Sequence, residues 1–292
     1  MSIYSKGENI RPKKVQQILA ATSLILISTC LISFTSCAKK VVKAPITLAT
    51  TTSVNDSGLL AVLQPVFEKD TGITLKVIAQ GTGQAVKTGE NGDADVLFIH
   101  DLTSEEKFIA DGYGDKRIEL MYNYFVVVGP KNDPAAVKSM TEKNASNAFK
   151  LISDKQATFV SRGDDSGTNK KELNLWKALK ITPTGTWYVS AGKGMGDVLK
   201  MASEKQGYTL TDKATFLSMK SDLDLEIVLD ETPDLKNQYT IIAVNPLKIT
   251  TVNKDGAQEF IKWMTSSKAL KLIEDYGKTQ YGEALFTVDY VK

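Results

Sequence analysis

One histidine, His100, stands in the whole chain, and that scarcity removes several functions. A His-ligated metal centre needs more than one. A Ser/His/Asp triad would have to use His100, which has no nucleophile elbow nearby. Neither a phosphate-binding loop nor a dinucleotide fingerprint occurs. Cysteine is nearly as scarce: Cys30 and Cys37 are the two present, too few for a disulfide framework. Charge of one sign is also lacking. The 36 Lys and Arg stand against 34 Asp and Glu, which is no footprint for nucleic acid. Eight prolines and 20 glycines in 292 residues exclude fibrous and low-complexity chains. These absences predict no enzyme, no catalytic residue, no metal and no cofactor. What is present is ordinary: 42% of the residues are apolar, enough for one large core or two medium ones.

The only long uncharged apolar run lies near the start. Lys6, Arg11, Lys13 and Lys14 precede residues 18–34, which carry no charge, and Thr35, Ser36 and Cys37 follow. A basic start, an apolar run and small residues form the secretory-signal pattern. Phe34-Thr35-Ser36-Cys37 resembles the lipobox of bacterial lipoproteins, departing from it at Phe34, where Leu is usual. The resemblance implies a signal peptide over residues 1–36 and lipidation of Cys37 after cleavage. The protein would then be exported and lipid-anchored to the cell membrane on its extracytoplasmic or periplasmic face. Loss of residues 1–36 leaves 32 basic and 33 acidic side chains, a nearly neutral body. Residues 37–45 read as a basic tether.

From residue 46 onward strands and helices alternate. Strands are predicted at 46–51, 73–79, 94–99, 122–129, 157–161, 186–190, 225–229 and 238–244. Helices are predicted at 55–70, 103–111, 167–180, 194–206 and 255–276. Such alternation predicts an α/β fold with mostly parallel sheets and helices on both faces. Apolar strands ending at Gly129-Pro130 and Asn245-Pro246 divide the body into two lobes. Residues 46–127 and 242–292 form lobe I, and residues 128–241 form lobe II. Two crossings make a hinge with a cleft, which the loops at the strands' carboxyl ends should face.

Those loops are rich in donors. The first strand runs into Thr50-Thr51-Thr52-Ser53, four hydroxyls at a strand-to-helix turn. Hydroxyls and helix N-terminal amides bind anions without adding charge. The second strand enters Gln80-Gly81-Thr82-Gly83-Gln84, where glycine admits a close backbone approach. A strand of the second lobe enters Ser161-Arg162-Gly163-Asp164-Asp165-Ser166-Gly167-Thr168. Arg162 offers forked donors suited to an oxyanion, and either Asp164 or Asp165 could orient it. Gly192, Gly194 and Gly196 form a further turn that is either a ligand approach or a plain loop. His100 reads as structural or as lying at the rim.

Together, Thr50-Thr51-Thr52-Ser53 with Asp56-Ser57-Gly58-Leu59-Leu60, the Gly81-Thr82-Gly83-Gln84 turn, Ala94-Asp95-Val96 through His100-Asp101, and the segment from Ser161 to Thr168 resemble the tungstate-binding proteins of bacterial ABC importers. The similarity spans most of residues 46–290. It implies the fold of type II periplasmic binding proteins, with a monomer holding tungstate between its lobes and handing it to a transporter permease. The site residues so implied are Thr51, Thr52, Ser53 and Thr82 on one lobe and Arg162 and Ser166 on the other. Molybdate has nearly the same size and charge and stays open as the ligand. Phosphate stays open too, because Arg162, Asp164 and Ser166-Gly167-Thr168 look like the loop of phosphate importers. A phosphate site would need a free carboxylate to accept the ligand's proton. A lipid-anchored sensor is the remaining alternative.

Overall fold

The computed structural model describes residues 1–3 and 43–291. The expected signal peptide, Cys37 and most of the tether lie outside the described residues. From Val42 onward the chain is one compact unit. Among the described residues, no helix is long and apolar enough to cross a membrane.

The sheet begins with three parallel strands. β1 (Ile46–Thr51) lies between β2 (Leu75–Gln80) and β3 (Val96–Ile99). β9 (Lys236–Ala243) then pairs antiparallel with β3, β4 (Ile118–Gly129) with β9, and the short β10 (Thr287–Val288) with β4. The middle of this layer is covered on both faces, and the residues show it. Along β3, Val96 and Phe98 join the core on one face, while Leu97 and Ile99 join the core on the other. A strand buried on both sides reads as an unbroken apolar run, with faces alternating every residue.

β4 belongs to two layers. Its residues 118–124 pair with β9. From Phe125 onward it pairs with β7 (Thr209–Asp212) and β8 (Glu226–Leu229), both antiparallel. Phe125 and Val127 enter one core of this second layer, and Val126 and Val128 the other. β5 (Phe159–Ser161) pairs in parallel with β6 (Tyr188–Ser190). β5 also joins Tyr208 just before β7, through Tyr208 N to Thr158 O and Val160 N to Tyr208 O, both 2.8 Å. The second layer therefore repeats the plan of the first, parallel strands flanked by antiparallel ones.

The hydrogen bonds pass between layers at Tyr124/Phe125, three residues before the expected boundary. β9 pairs within the first layer from Lys236, six residues before the expected return at 241/242. A boundary read from Gly-Pro and Asn-Pro marks where strands stop. It does not mark where they change partners.

The helices follow the strands. α1 (Thr52–Asp56) and α2 (Leu59–Thr71) follow β1, α3 (Thr82–Glu90) follows β2, and α4 (Leu102–Ala110) follows β3. α5 (Ala145–Asp154), α6 (Gly167–Ala178), α7 (Met195–Glu204) and α8 (Lys213–Met219) belong to the second layer. α2 runs through Pro65. The single helix predicted over 255–276 is two, α9 (Lys254–Met264) and α10 (Ser267–Asp275). Ser266 starts the second by accepting from Ala269 N at 3.2 Å, a cap placed inside an otherwise continuous apolar stripe. α5, β7 and α8 were not anticipated. The carboxyl ends of β1, β2, β3, β5 and β7 all lead into helix N-termini, and these loops meet.

Candidate anion site

Of the six expected residues, Arg162 and Thr52 bond to each other across the layers, while Thr82 and Ser53 are tied to the second layer through Gly167 and Thr215. Arg162 is buried although fully charged, with about 2% of its surface exposed. One of its terminal nitrogens donates to Thr52 Oγ1 at 2.9 Å and to Asp164 Oδ2 at 2.5 Å. Its Nε has no partner. A buried charge with an unpartnered donor is costly unless something else meets it.

The loop that delivers Arg162 is built for that position. Gly163 has φ +59, and a Cβ there would lie 2.1 Å from Ser190 Oγ. Glycine thus lets the chain turn tightly against β6 directly after the arginine. Asp164 Oδ1 accepts from Ser166 N at 3.2 Å, so both its oxygens are engaged. Asp164 is the carboxylate that orients Arg162. Asp165 stays outside, its side chain 72% exposed and 3.7 Å from Lys170 Nζ.

On the first layer, Thr51 Oγ1 accepts from Val54 N at 3.3 Å and lies 3.2 Å from Ser53 Oγ. Thr51 and Ser53 are buried. Thr50 points away and donates to Phe98 O at 2.7 Å, which removes it from the donor set. Thr82 Oγ1 accepts from Gly167 N at 2.9 Å, joining the N-termini of α3 and α6. Ser166 caps α6, its Oγ accepting from Asn169 N at 3.2 Å. Further bonds cross between the layers: Thr215 Oγ1 to Ser53 O at 3.3 Å and Ser218 Oγ to Asp56 O at 3.2 Å.

Three residues nearby were not in the expected set. Thr168, in the first turn of α6, is buried and its hydroxyl has no partner. Its place in the Ser-Gly-Thr run could have signalled it. His100 is buried, not at a rim, and its Nε2 lies 2.9 Å from Ser53 Oγ. Burial, with the positive charge of Arg162, lowers its pKa to about 4. Asp212 accepts from Thr215 N at 2.9 Å while its Oδ2 has no partner. Burial pushes Asp212 up to about 6, against the bonds from Thr215 and the charge of Arg162. No sequence pattern marked Asp212, because the short strand before it is polar.

The arrangement gathers hydroxyls, backbone amides and one guanidinium around one place, with a single carboxylate committed to the guanidinium. This is a donor-rich site for an oxyanion. Among the described residues, no group of acidic, His or Cys side chains could hold a metal ion.

A profile of the PBP superfamily domain matches residues 38–268. The chain is 53% identical over 250 residues to a tungstate-binding protein, TupA, of Peptoclostridium acidaminophilum, covering 86% of this chain and 87% of the relative. It resembles the crystal structure described as the tungstate ABC transporter of Geobacter sulfurreducens, with TM-score 0.73 and 51% identity over 80% of this chain and 98% of the other. The tungstate-binding protein of Desulfovibrio alaskensis superposes with TM-score 0.70 at 43% identity, over 85% of this chain and all of the other.

Proposed function

From the premise that this chain belongs to the PBP superfamily and, within it, to the tungstate-binding proteins of ABC importers, we propose that it captures tungstate between two lobes and delivers it to an importer. Residues 46–124 with 236–291 make one lobe, and residues 125–235 the other. Thr51, Thr52, Ser53 and Thr82 contribute from the first lobe. Arg162, Ser166 and Thr168 contribute from the second. The supporting observation is the buried Arg162, held by Asp164 with its Nε unpartnered. A dianion supplies what that charge lacks. The protein works outside the cytoplasm, as a monomer, tethered through a lipid on Cys37 and docking on a permease.

The engagement of both Asp164 oxygens favours an unprotonated dianion over phosphate, since that carboxylate is not free to accept a ligand proton. The unpartnered Oδ2 of Asp212 is the observation on the other side. Tungstate and molybdate share charge and shape, and the assignment to tungstate rests on the relatives.

Calorimetric titration of the soluble body with tungstate, molybdate, sulfate and phosphate tests the reading. Arg162→Ala is expected to cost about 2–5 kcal/mol of tungstate binding, because it strips the charge facing a desolvated anion. Arg162→Lys should fall short of rescue, since an ammonium lacks the forked geometry. Lys193→Ala, in an exposed Gly-rich turn, should bind as wild type does. Wild-type affinity in a folded Arg162→Ala protein, or stronger binding of phosphate than of tungstate, would reject the proposal.

A further inference from the structure

We propose that Glu172 is the positioning residue for Arg162: from α6 it holds Ser161 and, through Asn169, the loop that follows, so that the guanidinium is aimed before an anion arrives. This rests on the reading of the site as one for a dianion.

Glu172 is buried in α6, and four neutral groups donate to its carboxylate. Ser161 Oγ at 2.5 Å and Asn169 Nδ2 at 3.4 Å reach Oε2. Trp176 Nε1 at 2.9 Å and Tyr188 Oη at 2.8 Å reach Oε1. Two of the four can only donate. An indole N–H is never an acceptor. The Asn169 amide is fixed at both ends, because its Oδ1 accepts from Asp165 N at 3.2 Å while its Nδ2 faces the carboxylate. Trp176 and Asn169 sit on different oxygens, so both terminal atoms of residue 172 must accept. A carboxylate does this, whereas an amide would turn its NH2 towards one of the two donors.

The two oxygens serve different parts of the molecule. Oε1 is turned to the core: Trp176 belongs to a buried apolar cluster and Tyr188 packs against it. Oε2 is turned to the site. Ser161 is the last residue of β5, and Arg162 follows it. Neighbouring side chains of an extended chain point to opposite faces, so holding Ser161 towards α6 sends Arg162 the other way, to Thr52. The bond to Glu172 also occupies the Ser161 proton and takes it from the donors open to an anion. Asn169 holds the rest of the loop. Its Oδ1 carries Asp165 N, and its own N–H goes to Ser166 Oγ at 3.2 Å. Asp165 has φ +57, a left-handed conformation uncommon outside glycine, and the bond to its amide steadies that turn. Asp164, which orients Arg162, lies inside the segment so clamped. Donors fixed in advance spare the ligand the cost of ordering them, so loosening the clamp appears as lost affinity.

The soluble body is titrated with tungstate by calorimetry, and the thermal midpoint of each variant is recorded. Glu172→Gln should bind about tenfold more weakly than wild type. In the Arg162→Ala protein the same change should cost less than about twofold, because the group it aims is gone. Ser161→Ala removes a donor on the site side of the carboxylate, and Tyr188→Phe removes one on the core side. Both should lower the midpoint by roughly a few degrees. Ser161→Ala should weaken tungstate binding about tenfold, while Tyr188→Phe should bind as wild type does. A carboxylate that only stabilises the lobe would make affinity follow the midpoint in both. Equal loss of affinity on Glu172→Gln in the two backgrounds, or equal affinities of Ser161→Ala and Tyr188→Phe, would overturn the role of Glu172. The second comparison decides alone if Glu172→Gln does not fold. Failure of the wild type to saturate would overturn the anion site, and the positioning role with it.

Discussion

Two buried titratable side chains near the site are pushed in opposite senses, and the free protein's stability should carry both. His100 is lowered to about 4 by burial and by Arg162. Near pH 5 the unfolded chain holds a proton on this ring that the folded chain refuses, so stability rises with pH up to about 6.5. Asp212 is raised to about 6 by burial. Near pH 5 the folded chain keeps a proton on it that the unfolded chain has lost, so stability falls with pH over that window. Each slope reaches at most about 1.4 kcal/mol per pH unit, and together they nearly cancel. Relative to wild type, Asp212→Asn should give stability that climbs between about pH 4.5 and pH 6, and His100→Gln stability that declines. Urea unfolding at the two ends of this window measures both. Variant curves that run parallel to wild type would mean neither group is perturbed as its burial implies.

At the scale of elements, the proposed site is made by helix N-termini meeting, and α6 is the tightest of them. Gly167 donates its N–H to Thr82 Oγ1 at 2.9 Å, and its α-carbon lies against the His100 ring. Gly167→Ala would set a methyl 2.8 Å from Cε1 and 3.2 Å from Thr82 Oγ1. Alanine favours helix by up to about 1 kcal/mol over glycine, so α6 itself should not suffer. The substitution is expected to weaken anion binding at least tenfold and, through the crowding against His100, to lower the thermal midpoint by a few degrees. Gly196→Ala in α7, whose Cβ would meet Met219 Sδ at an ordinary 3.4 Å, is the control and should bind normally. Equal behaviour of the two variants would show that α6 does not set the site. Much of this assembly was legible beforehand. Apolar runs such as Val96–Ile99 announce strands buried on both sides, and the polar turns after β1, β2 and β5 announce the loops that meet. Thr209–Asp212 was silent because it is short and Leu210 is its one apolar residue, and its burial comes from neighbours far along the chain. The partner change within β4 was silent for the same reason, since pairing is not local. For His100 the sequence left a structural place and a rim open, because a lone histidine has no spacing to read; only the fold brings Ser53 to it.

For the molecule as a whole, the contacts between the two proposed lobes are made in the described state, and this bears on how an anion could act. Besides Arg162 with Thr52 and Gly167 with Thr82, Lys170 donates to Ser104 Oγ at 2.7 Å, and Lys213 reaches Glu283 at 3.1 Å as well as Asp230 and Glu231. Lys213 is desolvated, yet Glu231, Glu283 and Asp230 hold its pKa above the ordinary lysine value. Such contacts favour closure whichever anion is present. A ligand adds closure only through contacts it makes better in the closed state than in the open one. In the proposed site Arg162 and the hydroxyls are such contacts, whereas Lys170 is not. Lys170 is partly exposed, so its removal should be modest, within about 1 kcal/mol. Lys170→Ala is therefore expected to weaken tungstate and molybdate binding by the same factor, up to about fivefold, and to leave their ratio unchanged. Small-angle scattering should show the radius of gyration of both proteins falling to the same value at saturation, with the variant needing more anion to reach it. An altered ratio would place Lys170 in the site rather than on the latch, and a radius unmoved by saturating tungstate would reject closure driven by the ligand.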